Sequence, residues 1–278
     1  SMENQLSKME GLFMKKIYRF FKLYSHYISI NARCMMQYKT SFFLSSAGQF
    51  LGSFNVFLGI FFMFQRFPSI HGFTYSEVLL CFSFILLEFS LAEIFARGFD
   101  TFSGIVRNGE FDRILVRPQN EIIQVLGSKF ELTRIGKILQ AVVMFIYGIK
   151  KSNVIWTFPK ISAVIFTLIG GTVVFTALFM IYAALCFFTL DGLEFMNIFT
   201  DGAKEFGKYP AGAYGKKTLL FTTFFIPYAL IQYYPVLYIL GHDVPFTYIF
   251  LPLAACWFFI PAFLLWKYGV RHYKSSGS

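Results

Sequence analysis

Apolar residues arrive in long runs separated by short basic clusters, the pattern of a chain that crosses a bilayer repeatedly. A spanning helix needs about 20 mostly apolar residues to cross a hydrocarbon core about 30 Å thick. Six segments come close to that length: Ser41–Phe64, Ser76–Phe95, Leu132–Ile149, Ile161–Leu190, Thr218–Leu240 and Phe246–Trp266. The third carries Arg134 and Lys137 near its start, where long cationic side chains can snorkel to the interface. The fourth carries no charge at all. Ahead of the spans, Leu12, Phe13, Ile17, Phe20, Phe21, Tyr24, Tyr27 and Ile28 recur at three- and four-residue steps between Gly11 and Ile30, with Lys15, Lys16, Arg19 and Lys22 mostly between them. That spacing predicts a basic amphipathic helix lying in the headgroup plane.

The predicted fold is therefore an all-α membrane protein with six transmembrane helices and an N-terminal amphipathic interfacial helix. Residues 1–40 form the amphipathic region, 41–267 the six-span domain and 268–278 a cytoplasmic tail. Inside the domain, 98–131 forms a cytoplasmic elbow and 191–217 a cytoplasmic loop. Ser1 and the closing Ser275–Ser278 read as additions to the natural chain and are set aside.

Composition supports the same class. The chain of 278 residues is 56% hydrophobic, with 39 Phe, and only 14% charged, against about a quarter charged in soluble domains. The net charge of +10 would suit nucleic acid, but its placement argues otherwise. Of 25 Lys and Arg, only Arg66, Lys150, Lys151 and Lys160 fall on one side of the six spans. The other 21 fall on the opposite side, which the positive-inside rule makes cytoplasmic, with both termini. Membrane orientation thus accounts for the basic balance without nucleic acid. A cleavable signal peptide fits poorly, because the first long apolar run begins only at Ser41.

Four scattered cysteines (Cys34, Cys81, Cys186, Cys256) and four dispersed histidines (His26, His71, His242, His272) provide no metal or disulfide spacing. One stretch, Asp201–Pro210, holds Gly202, Gly207 and Lys208, one residue short of a phosphate-cradling loop. Tyr209 stands where the magnesium-holding hydroxyl belongs, Pro210 stops an immediate helix, and a membrane helix replaces the preceding strand. The match is a coincidence of spacing, and no cofactor is expected on this chain.

The loop Arg107–Gly127 has more internal logic. Asn108-Gly109 is a turn dipeptide that should end the helix continuing from the second span. Phe111, Ile114 and Leu115 then fall at i, i+3 and i+4, a small apolar face. Glu110, Asp112, Arg113 and Arg117 flank it. Pro118 suits the first position of a new helix, and Glu121 in its first turn complements the dipole. The expected product is a rigid elbow exposing an apolar knob, set against the blander reading of a loop packed on headgroups.

At this loop the sequence resembles a family. "GEFDRILVRP" is similar to the G-E-[LF]-D-x-x-L-x-R-P signature of bacterial type-2 ABC exporter permeases. "FGKYPAGAYGKKTLLFTTFFIPYALIQYYPVLYILG", Phe206–Gly241, resembles the same family's cytoplasmic Y-P, mid-span I-P, outer Y-Y-P and L-G. Ala211–Tyr214 depart from it, since a bulkier aliphatic more often follows the proline. The resemblance covers essentially the whole chain. It implies a membrane subunit of the bacterial plasma membrane that binds no nucleotide. ATP and Mg would sit on a separate cytosolic ATPase, with a second permease chain and membrane lipid as the other partners. It also implies that Gly109–Pro118 act as the coupling helix, with Phe111, Ile114 and Leu115 filling a groove of the ATPase and Glu110, Asp112, Arg113 and Arg117 fixing register. The N-terminal helix would lie beside them.

Within the spans, Glu88 and Glu93 are functional candidates by default, Glu93 being within reach of Arg97 at i+4. Gly48-x-x-x-Gly52 permits close helix approach. Pro227 should kink the fifth span, and Pro235 and Gly241 suggest re-entrant turns at its outer end. Glu88, Pro227, Tyr233, Tyr234 and Pro235 are the candidate pathway and gate residues, while spans three and four look like scaffold. A permease exporting an amphipathic or hydrophobic compound is the leading reading. A substrate-binding module of a vitamin importer would not need the elbow, an intramembrane enzyme would need clustered catalytic side chains, and a structural scaffold stays open.

Overall fold

The structure is a computed structural model that describes residues 2–69, 72–152, 154–189 and 197–275, with side chains from Tyr18 onward. The first helix, α1 (Met2–Gln37), runs well beyond the predicted amphipathic segment; Leu12, Phe13, Lys15, Lys16 and Ile17 of its stripe lie outside the described side chains. It is followed by α2 (Lys39–Arg66) and α3 (Tyr75–Asp100). The elbow comprises α4 (Phe102–Arg107), α5 (Glu110–Leu115) and α6 (Glu121–Ser128). Then come α7 (Ile135–Lys151), α8 (Phe158–Leu185), α9 (Asn197–Phe206), α10 (Lys216–Phe224), α11 (Tyr228–Gln232), α12 (Tyr234–Leu240), α13 (Leu251–Ala255) and α14 (Phe259–His272).

Among the described residues, five stretches are long and apolar enough to cross a membrane: Lys39–Arg66, Tyr75–Arg107, Leu132–Lys151, Phe158–Leu185 and Leu251–His272. A sixth exists if the bent pair Lys216–Phe224 and Tyr228–Leu240 is one broken span. The all-α membrane fold is as the hydrophobic pattern predicts, with shifted ends. The second span runs on to Arg107 instead of Phe95, bending at Ala96 (φ −120°, ψ 15°), and Arg97, the first charge beyond Phe95, is paired with Glu93 and Asp100. The fourth begins at Phe158, behind Thr157 and with Pro159 in its first turn, and ends at Leu185; Leu190 lies outside the described residues.

Helix α3 is the axis of the bundle, buried on almost every side from Val78 to Phe99. Its neighbours α7 and α8 approach it through glycines. Gly148 lies on Leu80, and Gly171 on Glu88, so close that a Cβ at either position would collide. Phe89 of α3 meets the rings of Phe175 and Phe179 edge-on at 5.2 and 6.0 Å, a favoured aromatic arrangement. By contrast α2 and α7 expose Phe43, Leu44, Leu51, Leu139, Val143 and Ile146 on their outer faces. Such faces suit lipid or a partner chain. At Gly48 and Gly52, among the described residues, nothing from another helix lies within 4 Å of where their Cβ would be, so this face of α2 is open.

Candidate functional site

The elbow is built by local chemistry. Asn108 ends α4, and Gly109 takes φ +67°, a left-handed conformation that a side chain would strain. The six-residue α5 then turns its apolar face inward. Phe111 is 0% exposed, its ring 5.2 Å from Phe102, 5.1 Å from Phe187 and 5.0 Å from Tyr273, with Trp266 beyond. Ile114 is also buried. The expected knob of Phe111, Ile114 and Leu115 is therefore corrected. Burying a Phe is worth about 2–3 kcal/mol, and the chain's own aromatic cage claims it. What protrudes is Leu115, 43% exposed, and Val116, 82% exposed, which sequence reasoning missed. Glu110, Arg113, Arg117 and Pro118 are exposed around them, and Asp112 is half-buried.

Pro118 does not begin the next helix. It lies in an exposed turn, and Asn120 caps α6 by accepting from the Ile122 N–H at 2.9 Å. An Asn directly before an acid and an apolar run was the readable signal. Gln124 Nε2 donates to the Ile114 and Gln119 carbonyls at 3.0 and 3.1 Å, stapling α6 to the end of α5. Helix α1 lies along α6 as expected: Tyr27 rests on Gly127, and the Tyr24 hydroxyl donates to the Phe95 carbonyl at 2.6 Å.

Glu121 joins the elbow to α14, accepting from Lys267 Nζ at 2.6 Å. Burial pushes its carboxyl up, but hydrogen bonds and the charge of Lys267 outweigh that and hold it below its ordinary value. Its contribution is therefore full above the unfolded Glu pKa of about 4.3 and is lost as pH falls through the lower folded value. Amide hydrogen exchange of residues 121–128 should rise on acidification through that range, and Glu121→Gln should exchange at one level throughout. Identical profiles would deny the pair a role.

Above the elbow, Glu93 gathers three cations rather than the one foreseen. Its oxygens lie 3.4 Å from Arg97 Nη1, 3.2 Å from Arg134 Nε and 2.8 Å from Lys137 Nζ. Arg97 also pairs with Asp100. The cluster ties α3 to the start of α7. Glu88 has a different setting. It is wholly buried, neither carboxylate oxygen has a hydrogen-bond partner among the described residues, and Gly171 of α8 presses on it. It packs between α3 and α8 rather than lining an open pathway. Gly171→Ala should destabilise the fold by about 1–3 kcal/mol through overpacking, and adding Glu88→Ala should recover most of that. Thermal unfolding of the single and double variants measures the coupling; purely additive losses would mean the two do not touch.

The segment predicted as a cytoplasmic loop holds the largest surprise. Residues 190–196 lie outside the described residues, but α9 is wedged against the middle of the bundle. Gly207 sits on Ile85 of α3, and Lys204 Nζ stands 5.3 Å from the Phe89 ring centroid. Small residues permit this approach: Ala203 is buried, and a Cβ at Gly207 would not fit. Charge alone suggested solvent; the pairs Lys204–Asp201 and Lys208–Glu205 one helical turn apart make burial tolerable.

The broken span closes over α9. Pro227 is buried at a 91° bend between α10 and the helices that follow, in keeping with the expected kink. Gln232 is fully buried and donates to the carbonyls of Gly207 and Tyr209 at 2.9 and 3.1 Å, pinning α11 to the end of α9. Tyr228 does the same at the other end through the Phe199 carbonyl. Tyr233 presses on Gly212, and its ring stacks obliquely on Tyr234 at 5.3 Å. Tyr234 continues to Tyr248 at 5.1 Å, and Pro235 is buried in the first turn of α12. Gly241 ends α12 at φ +86°, and His242 Nε2 reaches Glu77 Oε1 at 3.1 Å at the head of α3.

A bundle of apolar helices with one sharply bent helix pair, a long N-terminal helix and a charged elbow has the parts of a transporter subunit. No curated protein and no solved structure matches the chain. A family model described as ABC-2 family transporter protein does, over residues 50–277, which takes in every span from the middle of α2 onward together with the elbow. The chain belongs to that family and is a membrane permease component of an ATP-binding-cassette transporter.

Proposed function

We propose that this permease pairs with a second permease chain, identical or related, and with separate cytosolic ATPases that carry ATP and Mg. It resides in a bacterial plasma membrane with both termini cytoplasmic and exports an amphipathic or hydrophobic compound such as a lipid, peptide or drug. The observation that carries this reading is the elbow: Leu115 and Val116 project from a helix whose other face is locked by Phe111 in an aromatic cage. A rigid base with a small apolar tip, ringed by Arg113, Arg117 and Glu110, suits a groove on a moving partner. Motion at the tip would pass through Phe111 to Trp266 of α14 and Phe187 after α8, and through Glu121 to Lys267. It would pass along α4 to α3 and the Glu93 cluster. Copurification of an untagged ATPase with the tagged chain is the expected result, with nucleotide turnover that requires both. Hydrolysis by the purified chain alone would overturn it.

A further inference from the structure

The end of α9 carries lysines in among apolar helices, where charge is expensive. A cavity of about 170 Å³ lies between α2, α3 and α9, lined by Gln49, Ser53, Lys137, Lys204, Glu205 and Lys208. Ser53 is at the middle of α2, about 20 Å from either end by the helical rise, and Lys137 stands near the start of α7, so the cavity lies among the helices of the bundle. The volume holds several waters. Lys137 and Lys204 converge on one ring, their ammonium groups 5.5 and 5.3 Å from the Phe89 centroid. Ammonium groups among apolar helices are costly, and they face a cavity or a partner for that reason.

The counter-charges are thin. Glu93 serves Lys137, Arg97 and Arg134 together. Among the described residues the ion-pair partners of Lys204 and Lys208 are Asp201 and Glu205, each three residues back along the chain, whose side chains are 60% and 56% exposed while the lysines are 22% and 19% exposed. Pairs of that kind are weak and yield to a better anion. Glu205 lines the cavity itself and holds Lys208 there. The opposite wall is apolar, made by Val56, Phe82 and Leu86, and the mouth is held open by Gly48 and Gly52, which among the described residues have no neighbour from another helix within 4 Å of a Cβ position.

We infer that this cavity binds the anionic head of an amphiphile, a phosphate or carboxylate seated between Lys137, Lys204 and Lys208. Its tail lies along the apolar wall and the open glycine face of α2. The incoming anion displaces Glu205 from Lys208. Phosphate chemistry is shared by a lipid headgroup and the free ion; the apolar wall favours the lipid. The meaning of the site for transport rests on the permease reading, whereas binding itself does not. It gives function to the stretch Asp201–Pro210, whose Gly207 lets the end of α9 approach Ile85 and whose lysines face an anion, though not a nucleotide.

The test uses the full chain, purified and stripped of lipid, with phosphatidylglycerol, phosphatidylcholine and inorganic phosphate as separate probes. Native mass spectrometry and thermal unfolding read binding. Phosphatidylglycerol should be retained over phosphatidylcholine, and the double variant Lys204→Gln with Lys208→Gln should lose about thirtyfold in that preference, from about tenfold or less per lysine. Protection by inorganic phosphate as well supports the anion site with the free ion as its source; protection by phosphatidylglycerol alone supports the lipid. Equal retention of both lipids, or a double variant that behaves as wild type, overturns the inference. Should the double variant fold poorly, maleimide labelling of Ser53→Cys in a chain whose Cys34, Cys81, Cys186 and Cys256 are replaced by Ala decides: phosphatidylglycerol should block it and phosphatidylcholine should not, and equal labelling overturns the proposal. ATPase copurification measured on the same preparation tells failure of this site from failure of the permease reading.

Discussion

Leu115→Asp or Val116→Asp is expected to abolish ATPase copurification and stimulated turnover while leaving the permease folded. Both side chains already face solvent, at 43% and 82% exposure, so an aspartate costs the isolated chain little. In an apolar groove the same carboxylate would be desolvated without a partner, a loss of roughly 3 kcal/mol or more and on the order of a hundredfold in affinity. Phe111→Ala is the contrast. It empties a site enclosed by Phe102, Phe187, Trp266 and Tyr273, at about 3–5 kcal/mol. It should lower the unfolding temperature and lose the ATPase only as a consequence. Full ATPase association in both exposed-site variants would remove the elbow from the coupling role. Loss with Phe111→Ala but not with Val116→Asp would show that the partner reads the elbow's placement and not its tip.

The contrast also shows what a sequence can carry. Spacing of Phe111, Ile114 and Leu115 established an apolar face and its helix, but not the direction of that face. Direction depends on Phe187, Trp266 and Tyr273, which lie more than 70 residues along the chain. Span positions were legible because hydrocarbon thickness sets a length that any apolar run must meet. Breaks at Gly109, Pro227 and Gly241 were legible because they follow from backbone geometry at single residues. The insertion of α9 was not. Its lysines and acids read as solvated, since nothing local says that i,i+3 pairing and a glycine facing Ile85 will let them into the bundle. Two of the three partners of Glu93 were hidden for the same reason. Arg97 is on its own helix, while Arg134 and Lys137 reach it only after α7 packs on α3.

Glu93→Ala should be among the most damaging single changes in the membrane domain. The carboxylate is 4% exposed and is the shared counter-ion of Arg97, Arg134 and Lys137. Removing one member of a buried pair leaves charge uncompensated and costs about 3–5 kcal/mol, which for a chain of this size lowers the unfolding temperature by about 10 °C. Burial alone is not the cause, and Glu88 provides the control. It is equally buried on the same helix, but among the described residues its oxygens meet no hydrogen-bond donor, so Glu88→Gln should shift unfolding far less than Glu93→Gln. The cluster's cooperativity can be measured directly. If Glu93 acts by neutralising Lys137, then Lys137→Met in the Glu93→Ala background should restore part of the lost stability, because it removes an orphaned ammonium. A double variant whose loss equals the sum of the two singles would show that Glu93 stabilises the chain by packing and not by charge. The joint between α3 and α7 would then be held by Gly148 and its neighbours alone.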